Sequence, residues 1–419
     1  MSYSHTFNSD MVDPSRLSPR DVCIVSAVRT PMGAFMGALS SLSATDLGGI
    51  VIKGALERAG VQADAVQEVY MGNVCSANLG QAPATQAALK GGLPSSVPCT
   101  SINKVCSSGM KAAIIAAQTI LTGDNDVVVA GGMECMSAIP HYLPSVRSGI
   151  RLGHGEMVDG MIRDGLWDPQ HNAHMGTCAE MCADKYNITR QQMDDHAIAT
   201  FERATTAAES GLTSREVVPV ELPPAKPGQQ SQMLSQDESL SKMNVQKLRS
   251  LKPYFRKDGG AVTAGNSSPI TDGASAIVLM SAAAARQCKA PVQAVIRGYG
   301  DANQDPQWFT TAPAAAVPKA LARAGLQQGD IDYWEINQAF SVVDLVNQQL
   351  LGLDPDRVSV HGGAVALGHP LGASGAVLIT RLINVLKARG GRYGCAAICN
   401  GGGGASAVII EAVRQDSPL

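Results

Sequence analysis

The 419-residue chain repeats itself. Lys53 to Val61 reads KGALERAGV and Lys319 to Gln327 reads KALARAGLQ; aligning Ala59-Gly60 with Ala324-Gly325 gives an offset of 265. Further on, Ser107-Ser108-Gly109 and Ala373-Ser374-Gly375 each open an apolar helical run, at an offset of 266. Two matches at nearly one spacing, bracketing like elements, predict a duplicated unit. Each copy reads as α/β. In the first, Asp21 to Ala27 is a buried apolar strand and Thr45 to Ala59 a helix stopped by Gly60. Ser107 to Leu121 is a second helix, apolar nearly all round, and Asp126 to Ala130 a β-branched strand.

The halves are not contiguous. Between them lies a stretch rich in proline and glutamine (LPPAKPGQQSQ) that also holds His141, His154, His171, His174 and His196 and has few strand signals. The division expected is a loose polar tail over 1–20, a first half over 21–137 and 265–291, an inserted loop domain over 138–264, and a second half over 292–419. Insertions of this size on a rigid scaffold usually carry binding function.

Composition narrows the function. Charged residues are 16%, against roughly 25% in an average protein, so much of the surface is expected to be hidden, inside large domains or against other subunits. A net charge of −3 with no basic stripe calls for neither nucleic acid nor an anionic membrane, and no apolar run approaches the roughly 18 residues of a span. The first twenty residues lack the pattern of a secretory signal, so a cytoplasmic protein is expected. Ten cysteines in such a chain read as free thiols, mostly buried.

A few of those thiols invite chemistry. Cys106, in SINKVCSSGMKA, precedes a strong helix, whose first-turn amides and dipole favour thiolate over thiol; the plainer reading is a core cysteine. His369, in GHPLGASG, opens the corresponding helix of the second copy, so a face-to-face pairing of the copies brings a cysteine and a histidine base together. Cys399 heads CNGGGG, where bare amides suit an oxyanion hole, although a tight turn would also use glycine. Asn337, in EINQAF, is an amide in apolar surroundings: a satisfied core group or the holder of a water. His171, His174, Cys178 and Cys182 have zinc-type side chains at roughly helical spacing, but one helix cannot wrap a tetrahedral ion over three turns, and no metal is expected. Walker, dinucleotide and GxSxG motifs are absent.

Together these residues resemble the thiolase family, in particular its acetyl-CoA acetyltransferases. The blocks are NKVCSSG around Cys106, NQAF at 337–340, GGAVALGHPLGASGA at 362–376 and CNGGGG at 399–404, over a span from about Val22 to Glu411. The resemblance implies a duplicated five-layered αβαβα fold with an inserted loop domain. It also implies reversible Claisen condensation of two acetyl-CoA to acetoacetyl-CoA and coenzyme A; the alternative is a broader-chain 3-ketoacyl-CoA thiolase of β-oxidation. Cys106 would carry the acetyl group, His369 would activate it, and Cys399 would move the methyl proton. His369 with an Asn337-held water would form one oxyanion hole, and the amides of Cys106 and Gly401 the other. Coenzyme A thioesters enter as substrates, with no permanently bound cofactor. Leu166, His174, Met175, Ala264, Ser268, Ala339 and Phe340 would line the pantetheine arm, Leu251 and Phe255 the adenine side. Phe309 would close a short acyl pocket. Two positions depart from the family pattern: Gln338 stands where glutamate is usual, and Lys242 where an arginine often meets the coenzyme phosphates. A homotetramer is the expected assembly, with Ala138 to Arg151 a candidate contact. A coenzyme A-binding scaffold without activity would lack a catalytic residue, and none of the four is missing.

Overall fold

Fully buried strands alternate with capped helices in a computed structural model that describes residues 11–224, 228 and 230–413, without the Lys242 side chain. The first half contributes strands β1 (Val22–Arg29), β2 (Glu68–Gly72), β3 (Cys99–Ile102), β4 (Val127–Cys135) and, after the insertion, β5 (Thr271–Ser281). The second contributes β6 (Ala294–Asn303), β7 (Tyr333–Ile336), β8 (Tyr393–Asn400) and β9 (Gly404–Ala412). The sheet runs β7-β8-β9-β6-β1-β5-β4-β2-β3, and the two-residue strand Gly33–Ala34 pairs with β5 off this path.

The duplication shows in the pairing. From β1 outward the neighbours are β5 and β4, both antiparallel, then β2, parallel to β4. From β6 outward they are β9 and β8, antiparallel, then β7, parallel to β8. Even the irregularities repeat: β1 slips register between Ile24 and Ser26, β6 between Ile296 and Gly298, each after the strand's third residue. The halves join through three antiparallel pairs, Val22 to Ile24 against Ile296 to Ala294.

Five layers result, as the resemblance implied. Helix α1 (Ala44–Ala59) has a Ser43–Asp46 capping box and stops at Gly60 with φ 65°; it packs Leu47, Val51 and Ile52 on the outer face of the first half. Helix α2 (Ser108–Thr122) fills the centre together with the later helix Ser374–Arg389, burying Met110, Ile114, Ile379 and Leu382 against strands of both halves. Pro313–Ala324, which stops at Gly325 with φ 68°, covers the outer face of the second half. Strands covered on both faces read as continuous apolar runs, and every residue of β1, β4, β5 and β9 is buried.

The insertion carries helices α3 (Met175–Tyr186) and α4 (Arg190–Glu209) and several two- or three-residue strands. It is anchored by charge. Arg29 of β1, wholly buried, pairs with Glu216 and Asp237 from the insertion. Helices α5 (Pro313–Ala324), α6 (Ser341–Leu351) and α7 (Ser374–Arg389) complete the second half.

Two expectations fail. Residues 11–20 are no loose tail: Leu17 is buried and Arg20 pairs with Asp126 while donating to the Ile120 carbonyl. And one window, Val105–Thr122, is long and apolar enough to cross a membrane by length and composition. It contains α2, whose apolar periphery packs against strands of both halves and a second helix.

Candidate active site

The turn before α2 is strained. Val105 has φ 47°, a conformation costly for a β-branched residue, and Cys106 follows it. Side chains over-determine the turn. Ser108 Oγ donates to the Val105 carbonyl at 2.5 Å and accepts from the Lys104 amide at 2.8 Å, and Asn103 Oδ1 accepts from the Val105 amide at 3.0 Å. Lys104 reaches into the other half, to Asp301, the Ala405 carbonyl at 3.1 Å and Ser406 Oγ at 2.8 Å. Cys106 is thereby presented rather than packed away: it is the half-buried cysteine beside the cluster of Val74, Cys75, Met136, Met161 and Leu371.

The second sulfur approaches from β8. Cys399 is 1% exposed, near the strand's end, and shares an apolar cluster with Met175, Phe309, Ala339 and Phe340. The residues after the two sulfurs are bonded to each other: Ser107 Oγ donates to Asn400 Oδ1 at 2.8 Å. The backbone amides of Gly401 and of Cys106 itself lie close enough to the Cys106 sulfur to favour its thiolate. Of the four glycines, Gly402 and Gly403 need theirs for φ 81°. A Cβ on Gly401 would stand 3.4 Å from Val105 Cγ1, within the site.

His369 hangs from the loop before α7, buried. It is five residues ahead of that helix, whereas Cys106 is two ahead of its own, so the repeat-related position of Cys106 is Gly372. Ser374 Oγ donates to the Pro370 carbonyl at 2.8 Å, so its short 2.6 Å contact with His369 Nδ1 is one it accepts. The proton therefore sits on Nδ1, and Nε2 is left as the base. Asn337 Nδ2 stands 3.5 Å from that nitrogen, a spacing that suits two groups sharing a water more than a direct bond. Asn337 follows the end of β7, its amide bonded to the Ala397 carbonyl of β8 at 2.9 Å.

Burial dominates the electrostatics. It pushes the Cys106 thiol up to about 12, against the two amides that favour thiolate. It raises Cys399 well above the usual thiol range, Cys106 adding to the effect, and lowers His369 to about 4. The expected thiolate at Cys106 is therefore corrected. The helix begins two residues too late for its dipole to outweigh desolvation, and the resting site is two thiols and a neutral imidazole.

The remaining candidates fall into two groups. Met175, Phe309, Ala339 and Phe340 share the Cys399 cluster, with Phe255 against it. His174 stacks on Phe255 at 4.7 Å between ring centroids, and Phe255 meets Phe340 edge-on at 6.3 Å. Leu166 ends a π-helical turn, Ile162–Leu166, and packs beside Cys106. Ser268 donates to the Ala339 carbonyl at 2.8 Å, and Ala264, exposed, adjoins Gly265, which packs on Leu251. Lys242 lies on a short turn, Leu240–Lys242, and its side chain is outside the described residues. Gln338 donates to Asp344 Oδ2 at 2.7 Å, its own oxygen without a partner.

Of the zinc-type set, His171 bonds Asp168, His174 caps α3 by accepting from the Gly176 amide, and Cys178 and Cys182 are buried core thiols. The reading of the sequence passed over Glu134. This buried carboxylate accepts from Asn73 Nδ2 and from the amides of Val74, Cys75 and Gly372, clasping the β2 end to the His369 loop. Only its place in an apolar strand, GGMEC, signals it. Cys75, a third thiol beside Cys106, left no signal.

The N-terminal domain of thiolase matches residues 22–283 and the C-terminal domain residues 290–412. The chain is 57% identical to Arabidopsis thaliana acetyl-CoA acetyltransferase 2, covering 94% of this chain and 98% of that protein. It is 50% identical to a cytosolic acetyl-CoA acetyltransferase of Gibberella zeae over 93% of this chain and 98% of that one, and other relatives are named mitochondrial. A solved thiolase from Ascaris suum in complex with coenzyme A superposes with a TM-score of 0.88 at 45% identity, over 94% of this chain and all of that one. With paired halves and matches across both domains, the chain belongs to the thiolase family.

Proposed function

We propose that this chain is an acetyl-CoA C-acetyltransferase, joining two acetyl-CoA to acetoacetyl-CoA and coenzyme A, and reversing that reaction. The observation that carries the reading is the bridge from Ser107 to Asn400, which supports two thiols working on one substrate because each bonded residue directly follows a cysteine. In the first half-reaction the Cys106 proton passes to His369 Nε2, the sulfur attacks the acetyl carbonyl, and His369 returns the proton to the departing coenzyme A sulfur. In the second, Cys399 passes its proton to the same nitrogen and removes one from the methyl of a new acetyl-CoA. The enolate attacks acetyl-Cys106, forming the carbon–carbon bond, and the freed Cys106 thiolate recovers its proton from His369. One oxyanion is held by the Cys106 and Gly401 amides, the other by His369 and an Asn337-bound water. A neutral resting site suits this cycle, because no charge is buried before substrate arrives.

The pantetheine arm lies along Leu166, His174, Met175, Ala264, Ser268, Ala339 and Phe340. Leu251 and Phe255 lie towards the adenine and Lys242 towards the phosphates. Phe309, buried beside Cys399, keeps the acyl pocket short. The enzyme works in the cytosol as a homotetramer, without a permanently bound cofactor.

Intact-mass measurement after mixing with acetyl-CoA tests the roles. Wild type is expected to gain one acetyl group per chain, Cys106→Ala none, and Cys399→Ala to keep the adduct but lose condensation. Normal acetylation of Cys106→Ala defeats the assignment. Cleavage of 3-ketohexadecanoyl-CoA as fast as acetoacetyl-CoA would replace the reading with a broad-chain thiolase.

A further inference from the structure

Far from the cysteines, at the opposite end of α7, a cavity of about 610 Å³ opens on the seam between the halves. Its wall takes Ala27 from β1, Gln293 from just before β6, and Ala412 and Val413 from the end of β9. That volume lies within the range of small-molecule sites. Its charge is lopsided. Arg58, Arg215 and Lys387 line it, and the one acidic wall residue among those described, Glu216, is already occupied. Glu216 accepts from Arg29 at 2.9 Å, from Arg381 at 3.2 Å and from Asn384 at 3.0 Å.

The three cations have no such partners. Arg58 spends its guanidinium on the main-chain carbonyls of Arg215 and Val217, and neither Lys387 nor the Arg215 side chain has an acceptor among the described residues. Burial, with Arg215 nearby, brings the Lys387 ammonium down to about 8, the mark of a cation held without an anion. Met11, Ile383 and Val413 add apolar surface. A lysine and an arginine without acceptors among the described residues, beside an apolar patch in one cavity, describe a ligand: anionic at one end, with an apolar ring or chain at the other.

We propose that this cavity binds a phosphate-bearing small molecule of nucleotide size, its phosphates held by Arg58, Arg215 and Lys387 and its body against Ile383 and Asn384. The site is independent of the cysteine chemistry.

Calorimetric titration of the full chain tests this with three probes, the Lys387→Gln and Arg215→Gln variants separating this cavity from the substrate cleft. ADP is expected to bind, pyrophosphate to bind more weakly, and adenosine not at all; sodium chloride weakens the ADP affinity by screening. Lys387→Gln and Arg215→Gln each reduce ADP affinity by about tenfold, the loss of one charge-assisted contact, while acetoacetyl-CoA cleavage and melting temperature stay at wild-type values. No ADP binding at millimolar concentration overturns the proposal, as does undiminished binding in both variants. Pyrophosphate binding as tightly as ADP removes the nucleotide-sized body from it.

Discussion

Ser374 settles what His369 can do. The hydroxyl has one proton and gives it to the Pro370 carbonyl, so the imidazole must donate from Nδ1 and keep Nε2 bare. Replacing Ser374 by alanine frees the ring to exchange tautomers and tilt. The expected result is a fall of about tenfold or more in kcat with little change in KM, since positioned acid–base groups contribute about 10²–10⁴-fold. Stopped-flow cleavage of acetoacetyl-CoA reads this directly, and an unchanged kcat removes Ser374 from the mechanism. Glu335, two residues before Asn337, governs stability instead. It is wholly buried, neither oxygen has a hydrogen bond among the described residues, and Arg381 stands 3.8 Å away. Burial raises it to about 8. A folded value above the unfolded one means the native state holds the extra proton, so stability falls as pH rises from about 4.5 to 8. Glu335→Gln is expected to raise the melting temperature at pH 8 and to match wild type near pH 4; a gain that is the same at both pH values contradicts the assignment.

At the scale of elements, the nucleophile turn stores strain that Ser108 and Asn103 hold in place. Val105→Gly relieves a left-handed β-branched residue, a relief of about 1–3 kcal/mol offset in part by roughly 1 kcal/mol of added chain entropy. The melting temperature should stay level or rise while Cys106 acetylates more slowly, because the turn is no longer forced to present the sulfur. Acetylation at the wild-type rate would mean that the strain is idle. Helix ends were legible in the sequence because glycine makes them: Gly60, Gly123, Gly325 and Gly390 all sit in the left-handed region, where no other residue is so easily placed. The strands were legible as apolar runs, though β4 extends to Cys135, five residues past its apolar stretch, because Gly131 and Gly132 are paired there with Ala276 and Ser275. The backbone angle of Val105 was not legible, since nothing about a valine announces φ 47°. Nor was Glu134, whose clasp on Gly372 spans 238 residues. Local signals carry periods and caps; contacts made by folding leave none.

The molecule as a whole still exposes what such a chain ought to hide. Along the segment from His141 to Met157, Leu143, Val146, Ile150 and Met157 are exposed and Leu152 is 96% so, in a chain short of charge. Isolated apolar side chains on a surface are ordinary, but five within fifteen residues form a patch of the kind that subunits cover. The segment leaves the first half between β4 and α3, close to the π-helical turn that carries Leu166, so an interface built there would brace the wall of the substrate cleft. Leu152→Glu places a charge at the centre of that contact, and a buried unpaired charge is costly enough to break it. Sedimentation of the variant should show a smaller assembly than that of wild type. Because the cysteines lie within one chain, acetyl transfer to Cys106 should survive dissociation, while KM for acetyl-CoA rises as the braced wall loosens. A variant that sediments like wild type would move the interface elsewhere on the surface, and one that dissociates without a change in KM would leave the contact but remove its hold on the cleft.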